Sequence, residues 1–125
     1  MSRQNVEVVR SIYRLWSEGR EASRLIHPDL EYVNPPNAVE TGTRHGRGAL
    51  RGVLDVYPDF HVEPDRFVDA GEDVVVIGTA RGTSASGIRA ERQQGYIWTI
   101  RDGVAIRLRW FNDPKEALEA VGLTE

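Results

Sequence analysis

The stretch Gly95–Asn112, GYIWTIRDGVAIRLRWFN, constrains the fold more than any other. Two apolar runs flank Arg101-Asp102-Gly103. An Asp-Gly step between alternating residues is the strongest short-range hairpin signal. Side chains in a strand point alternately to two faces. Tyr96, Trp98 and Ile100 therefore share one face of the first strand. Val104, Ile106, Leu108, Trp110 and Asn112 are expected on one face of the second, with Arg107 and Arg109 opposite. The pattern predicts one buried, tryptophan-rich face that ends on the polar pair Asn112-Asp113. An apolar wall with a few polar groups at its end is how small-molecule pockets are built.

At 125 residues the chain is read as one domain, 1–125, with about two-thirds of its unfolded surface buried on folding. Sixteen basic against nineteen acidic residues give a net charge of −3. A mildly acidic domain is a poor match to nucleic acid, whose binders carry a basic face. There is no cysteine, so no disulfide framework, thiolate nucleophile or Cys-ligated metal. The start, MSRQNVEVVR, lacks an apolar signal core, and no apolar run approaches the ~20 residues of a membrane span. The expectation is a soluble, cytoplasmic protein with no membrane partner.

Residues Asn5 to Glu18 read as an amphipathic helix, with Val6, Val9, Tyr13 and Trp16 on one stripe and Gly19 as its end. A short second helix is expected from Glu21 to Ile26, stopped before His27-Pro28. Leu30 to Asn34 alternates as a strand, with Leu30, Tyr32 and Asn34 facing one way. Asn37 to Gly46 reads as a polar loop, and a third helix is expected from Gly48 to Tyr57, closed by Pro58. Strands follow at Phe60–Ala70, Val74–Thr83, Ala90–Ile100 and Val104–Asn112. Asp113-Pro114-Lys115-Glu116 opens a last helix with a capping-box signature. Helices first and an antiparallel meander afterwards make the class α+β. The strands are expected to curl over the helices and leave a conical space floored by the third helix.

The order of elements and several strings resemble the SnoaL-like group of the nuclear transport factor 2-like superfamily. The strings are NVEVVRSIYRLW at Asn5–Trp16, His27–Val33, Gly46–Arg51, the Arg101-Asp102-Gly103 turn and the ending Glu116–Leu123. The resemblance implies a conical α+β barrel: N-terminal helices on a strongly curved, mostly antiparallel sheet. It also implies a homodimer through the outer sheet face, a compact hydrophobic ligand, and cofactor-independent proton transfer if the protein is an enzyme. The polyketide cyclases of this group use an acidic residue near the end of the last strand, and Asp113 is the nearest match. The ketosteroid isomerases place a tyrosine on the first helix as oxyanion donor, which Tyr13 resembles in position. Where they carry an aspartate base, this chain has Tyr32 and Asn34, and a neutral amide does not abstract a proton. The Asp-Arg-Asp cluster of the epoxide hydrolases has no counterpart on one inward face here.

The expected site follows. Asp113 is the candidate acid/base, weighed against a plain helix cap. Tyr13 and Tyr32 are candidate donors to a developing oxyanion. Trp16, Tyr57, Trp98 and Trp110 line the wall or fill it as core. Asn34, Gln94 and Asn112 are polar residues on inward faces, two of the three expected to bond backbone. His27, His45 and His61 are too dispersed for a helix-spaced metal pair, so no metal and no cofactor is expected. Arg81, Arg89 and Arg92 around the third and fourth strands, with Arg101, Arg107 and Arg109 and the outward Ile97 and Thr99, point to interstrand ion pairs or an Arg-rich dimer face. The leading reading is a cyclase, isomerase or hydratase acting on a hydrophobic molecule. The alternative is a non-catalytic ligand-binding or dimerisation module.

Overall fold

A computed structural model describes residues 2–36, 38, 42–50 and 57–123. In chain order the elements are α1 (Ser2–Ser17), a 3-10 turn (Ser23–Leu25), β1 (Ile26–Asn34), β2 (Gly42–His45), β3 (His61–Ala70), β4 (Asp73–Thr83), β5 (Arg89–Arg101), β6 (Val104–Phe111) and α2 (Pro114–Ala120). The strands form one sheet in the order β2-β1-β6-β5-β4-β3. Every neighbouring pair is antiparallel except β1 and β6, which are parallel. The α+β class and the helices on a mostly antiparallel sheet are as expected. The barrel itself is not closed: β2 and β3 are free edges.

The hairpin forms as the Asp-Gly step dictates. Asp102 (φ 53°) and Gly103 (φ 80°) both take left-handed backbone, as a two-residue hairpin turn of primed type requires. The face assignment needs one correction. Thr99 pairs with Arg107 but Ile100 pairs with Ala105, so Ile106 is an extra residue in a bulge. Ala105, not Val104 or Ile106, joins Leu108 in the buried cluster under α1. Further bulges between Pro64 and Arg66, and between Ile26 and Glu31, bend β3 and β1.

Two apolar clusters hold the fold. Val9, Ile12 and Tyr13 of α1 pack on Leu30, Val74, Val76, Tyr96, Trp98, Ile100 and Leu108, which makes this the inner face. On the outer face, Ala117 and Leu118 of α2 pack on Val75 and Ile97. Ile97, expected in a dimer face, is therefore buried within the protomer.

Other boundaries differ for physical reasons. The expected second helix is only the 3-10 turn, because Ile26 is already extended (φ −123°, ψ 125°) and begins β1. Part of the expected polar loop is β2, an edge strand whose four residues are all exposed. Its pairing comes from backbone alone, so it carries no apolar alternation. Residues 47–50 form one 3-10 turn, and the rest of the expected third helix, 51–56, lies outside the described residues.

Candidate functional site

Strand pairing places the inward residues in rows. Asn34, Trp110, Tyr96 and Val76 lie across β1, β6, β5 and β4. Beyond the row of Asn112, Gln94 and Gly78 comes Arg92 beside Ala80. Tyr57 closes over Gly82, where a side-chain Cβ would stand 2.8 Å from the Tyr57 Cβ.

The aromatic residues divide into two groups. Trp16, Phe67 and Trp98 each meet Tyr13 edge to face at the α1 end, and Trp16 meets Trp98 at a tilt, with ring centroids 5.7–6.2 Å apart. Trp98 is fully buried and donates its indole N–H to the Tyr13 hydroxyl at 3.1 Å. Here the rings are core, though Trp16 remains 38% exposed. Tyr32 and Trp110 face the same side of the sheet and pack against this cluster, yet both are only half-buried. A large inward ring that keeps solvent exposure borders open space.

The three inward amides tie this second group together. Trp110 donates Nε1–H to Asn34 Oδ1 at 2.7 Å, and Asn34 Nδ2 donates to the Gly42 carbonyl at 3.3 Å. Tyr96 donates its hydroxyl to Gln94 Oε1 at 2.6 Å. Gln94 Nε2 (3.3 Å) and an Arg92 N–H (3.1 Å) both donate to Asn112 Oδ1. Only Asn34 reaches backbone, against the expectation of two in three. The other partners are side chains, which fixes each amide's orientation and leaves Asn112 Nδ2 with no partner among the described residues. The Tyr32 hydroxyl likewise makes no hydrogen bond there, and Arg44 stands beside it as its register partner on β2. Burial raises the Tyr13 and Tyr96 phenols well above their ordinary range. It raises Tyr32 too, against the opposing charge of Arg44. All three are donors in neutral solution.

Asp113 sits apart. It is exposed, and its Oδ1 accepts the Lys115 amide at 2.9 Å as the N-cap of α2. That bond goes to the second helical amide, and no Glu116 side-chain bond returns, so the capping box is only half made. Asp113→Ala is expected to cost about 1 kcal/mol in chemical denaturation, with Asp113→Asn close to the parent.

Two further hollows are weaker candidates. One of about 270 Å³ is bounded by Asp59, His61, Arg81, Thr83, Arg89 and Glu91. Arg81 is already bridged to Glu63 and Glu91 there, the interstrand pairing expected of these arginines, and Asp59 is held by the Thr83 amide. The other, beside Pro35, Pro36, Phe111 and Glu116, gathers no set of donors. No group of three metal-binding side chains assembles among the described residues.

Sequence reasoning passed over Tyr96 as a site residue and counted Arg92 with the ion-paired or dimer-face arginines, whereas Arg92 faces inward and donates to Asn112. The strand parity that singled out Gln94 and Trp98 puts both on the same face.

A family model, the SnoaL-like domain, matches residues 9–108. The chain belongs to the SnoaL-like domain family. No curated protein matches it. Among solved structures, this SnoaL-like domain resembles an NTF2-like protein of unknown function from Burkholderia pseudomallei, at 24% identity and TM-score 0.74, covering 95% of this chain and 98% of the other. It resembles TerC, co-crystallized with polyporic acid, at 28% identity and TM-score 0.73, covering 94% and 98%. A putative SnoaL-like polyketide cyclase from Jannaschia sp. shares the fold at 19% identity and TM-score 0.73, covering 99% and 95%. The family places this chain among small-molecule-binding NTF2-like proteins. No helix among the described residues is long and apolar enough to cross a membrane.

Proposed function

We propose that this SnoaL-like domain binds a flat, hydrophobic, oxygen-bearing molecule against the inner faces of β1, β6 and β5. The observation that carries the reading is that Tyr32, Asn34, Trp110, Gln94 and Asn112 face inward and keep solvent exposure, with Trp110 bonded to Asn34 and Gln94 to Asn112 while the Tyr32 hydroxyl has no partner among the described residues. Trp110 and Tyr32 supply the apolar surface. Asn112 and Tyr32 supply hydrogen-bond donors at its ends. Trp16, Trp98 and Tyr57 shape the surroundings from the core and from the far end of β4.

The binding reading is favoured over the catalytic one. Asp113 is exposed and spends its carboxylate on the Lys115 amide as the cap of α2. Tyr13 holds its hydroxyl against Trp98. Where turnover occurs, it is cofactor-independent proton transfer of the cyclase, isomerase or hydratase kind, with Tyr32 as the donor. A second copy of the chain is placed on the uncovered part of the outer sheet face. Strand parity puts Arg107 and Arg109 on this face, and arginine is favoured at interfaces.

Polyporic acid, the aromatic ligand co-crystallized with TerC, is the probe. Calorimetric titration is expected to give saturable one-to-one binding. Trp110→Ala is expected to weaken it at least tenfold, the worth of about 1.4 kcal/mol. A heat trace indistinguishable from dilution removes the reading.

A further inference from the structure

Among the described residues, the inner wall beyond the α1 core carries phenols, amides and guanidinium groups, and no carboxylate or imidazole. These groups are Tyr32, Arg44, Gln94, Arg92 and Asn112, with Tyr57 at the far end. Arg92 is the decisive member. Strand parity turns it to the inner face, where it donates to Asn112 Oδ1 and has no ion pair among the described residues. Other arginines of this sheet meet an acid: Arg81 with Glu63 and Glu91, Arg101 with Glu72, Arg109 with Asp73. An arginine held by a neutral amide keeps its whole charge for what approaches. The Asn112 Oδ1 takes both the Arg92 and the Gln94 donors, which leaves the Asn112 N–H groups without a partner among the described residues, two positions along the chain from Trp110.

We propose that the wall takes an acidic enol or phenol as its anion, with the ring on Trp110 and Tyr32 and the oxyanion against Arg92 and the Asn112 amide. This rests on the inner wall being the ligand site and adds the charge state of the ligand. A cation and two N–H groups beside an oxygen favour its ionised form. Burial keeps the Tyr13, Tyr32 and Tyr96 hydroxyls protonated. Guanidinium groups hold their charge through the neutral range. From about pH 5 to 9 the bound molecule is therefore the group that changes charge on this face.

The test compares 2-hydroxy-1,4-naphthoquinone, an acidic enol, with its parent 1,4-naphthoquinone on the full chain. The absence of cysteine removes the thiol that quinones would alkylate. Above the enol's ionisation, calorimetry is expected to show the hydroxy compound at least tenfold tighter than the parent. The visible band of the bound enol is expected to report ionisation about one pH unit lower than in free solution, which is the same tenfold factor. Arg92→Gln is expected to bring the hydroxy compound down to the affinity of the parent and to erase the shift. Arg89→Gln removes the same charge from an exposed neighbouring position and is expected to leave both intact. Equal affinities with an unshifted band, or equal losses in the two arginine variants, overturn the anion proposal while the binding site stands. Failure of both compounds to bind overturns the site and the proposal together.

Discussion

Gly95→Ala is expected to destabilise the domain by roughly 2–3 kcal/mol, the upper range for forcing an atom into a well-packed interface. Gly95 lies on the outer face of β5, under α2. An added Cβ would stand 2.6 Å from the Ala117 Cβ and 3.1 Å from the Pro114 Cα. Neither neighbour is the flexible end of a side chain. The backbone of α2 must lift, and Leu118 loses contact with Val75 and Ile97. For a domain of this size the loss corresponds to a melting temperature lower by about 8–15 °C. The mechanism is checked by a double-mutant cycle with Ala117→Gly. Alone, that change costs about 1 kcal/mol of helix propensity. In the Gly95→Ala background it clears the closest clash. The pair is then expected to be at least 1 kcal/mol more stable than the sum of the single losses. Additive losses in urea unfolding would mean that α2 does not sit where the structure has it.

Gly95 also shows which kind of information the sequence holds. As a residue opening an apolar strand it reads only as a boundary. Its role comes from a helix that begins nineteen residues later and crosses it. The hairpin is the opposite case. Asp102-Gly103 states its own conformation, since both residues must take positive φ, and the alternation on either side is local. The bulge at Ile106 is invisible because one extra residue changes parity without changing composition. β2 is invisible because an exposed edge strand needs no apolar side chains. In the site, inward direction was legible for Tyr32, Asn34, Gln94, Trp98, Trp110 and Asn112 from period-two spacing. What each amide bonds was not, because the partners come from different strands and depend on register. Asp113 was legible twice over, as cap and as candidate acid, and its side chain takes the cap.

Trp98→Ala is expected to be the most damaging single substitution, costing about 3–5 kcal/mol. The indole is fully buried between α1 and the centre of the sheet. It meets Tyr13 and Trp16 at 5.9 Å, and no neighbour is free to collapse into its volume. Against a whole stability of order 5–15 kcal/mol, the larger figure removes a third or more of it, and all of it at the lower end of the range. Tyr13→Phe separates packing from hydrogen bonding at the same place. It keeps the ring and removes the acceptor of the Trp98 N–H. A buried donor left without a partner costs about 1–3 kcal/mol. Guanidinium unfolding followed by tryptophan fluorescence reads both variants. A Tyr13→Phe protein as stable as the parent would show that the hydroxyl is not needed by the core, and so is free for a ligand. A loss within the stated range assigns Tyr13 to the framework and leaves Tyr32 as the phenol available to whatever the wall binds.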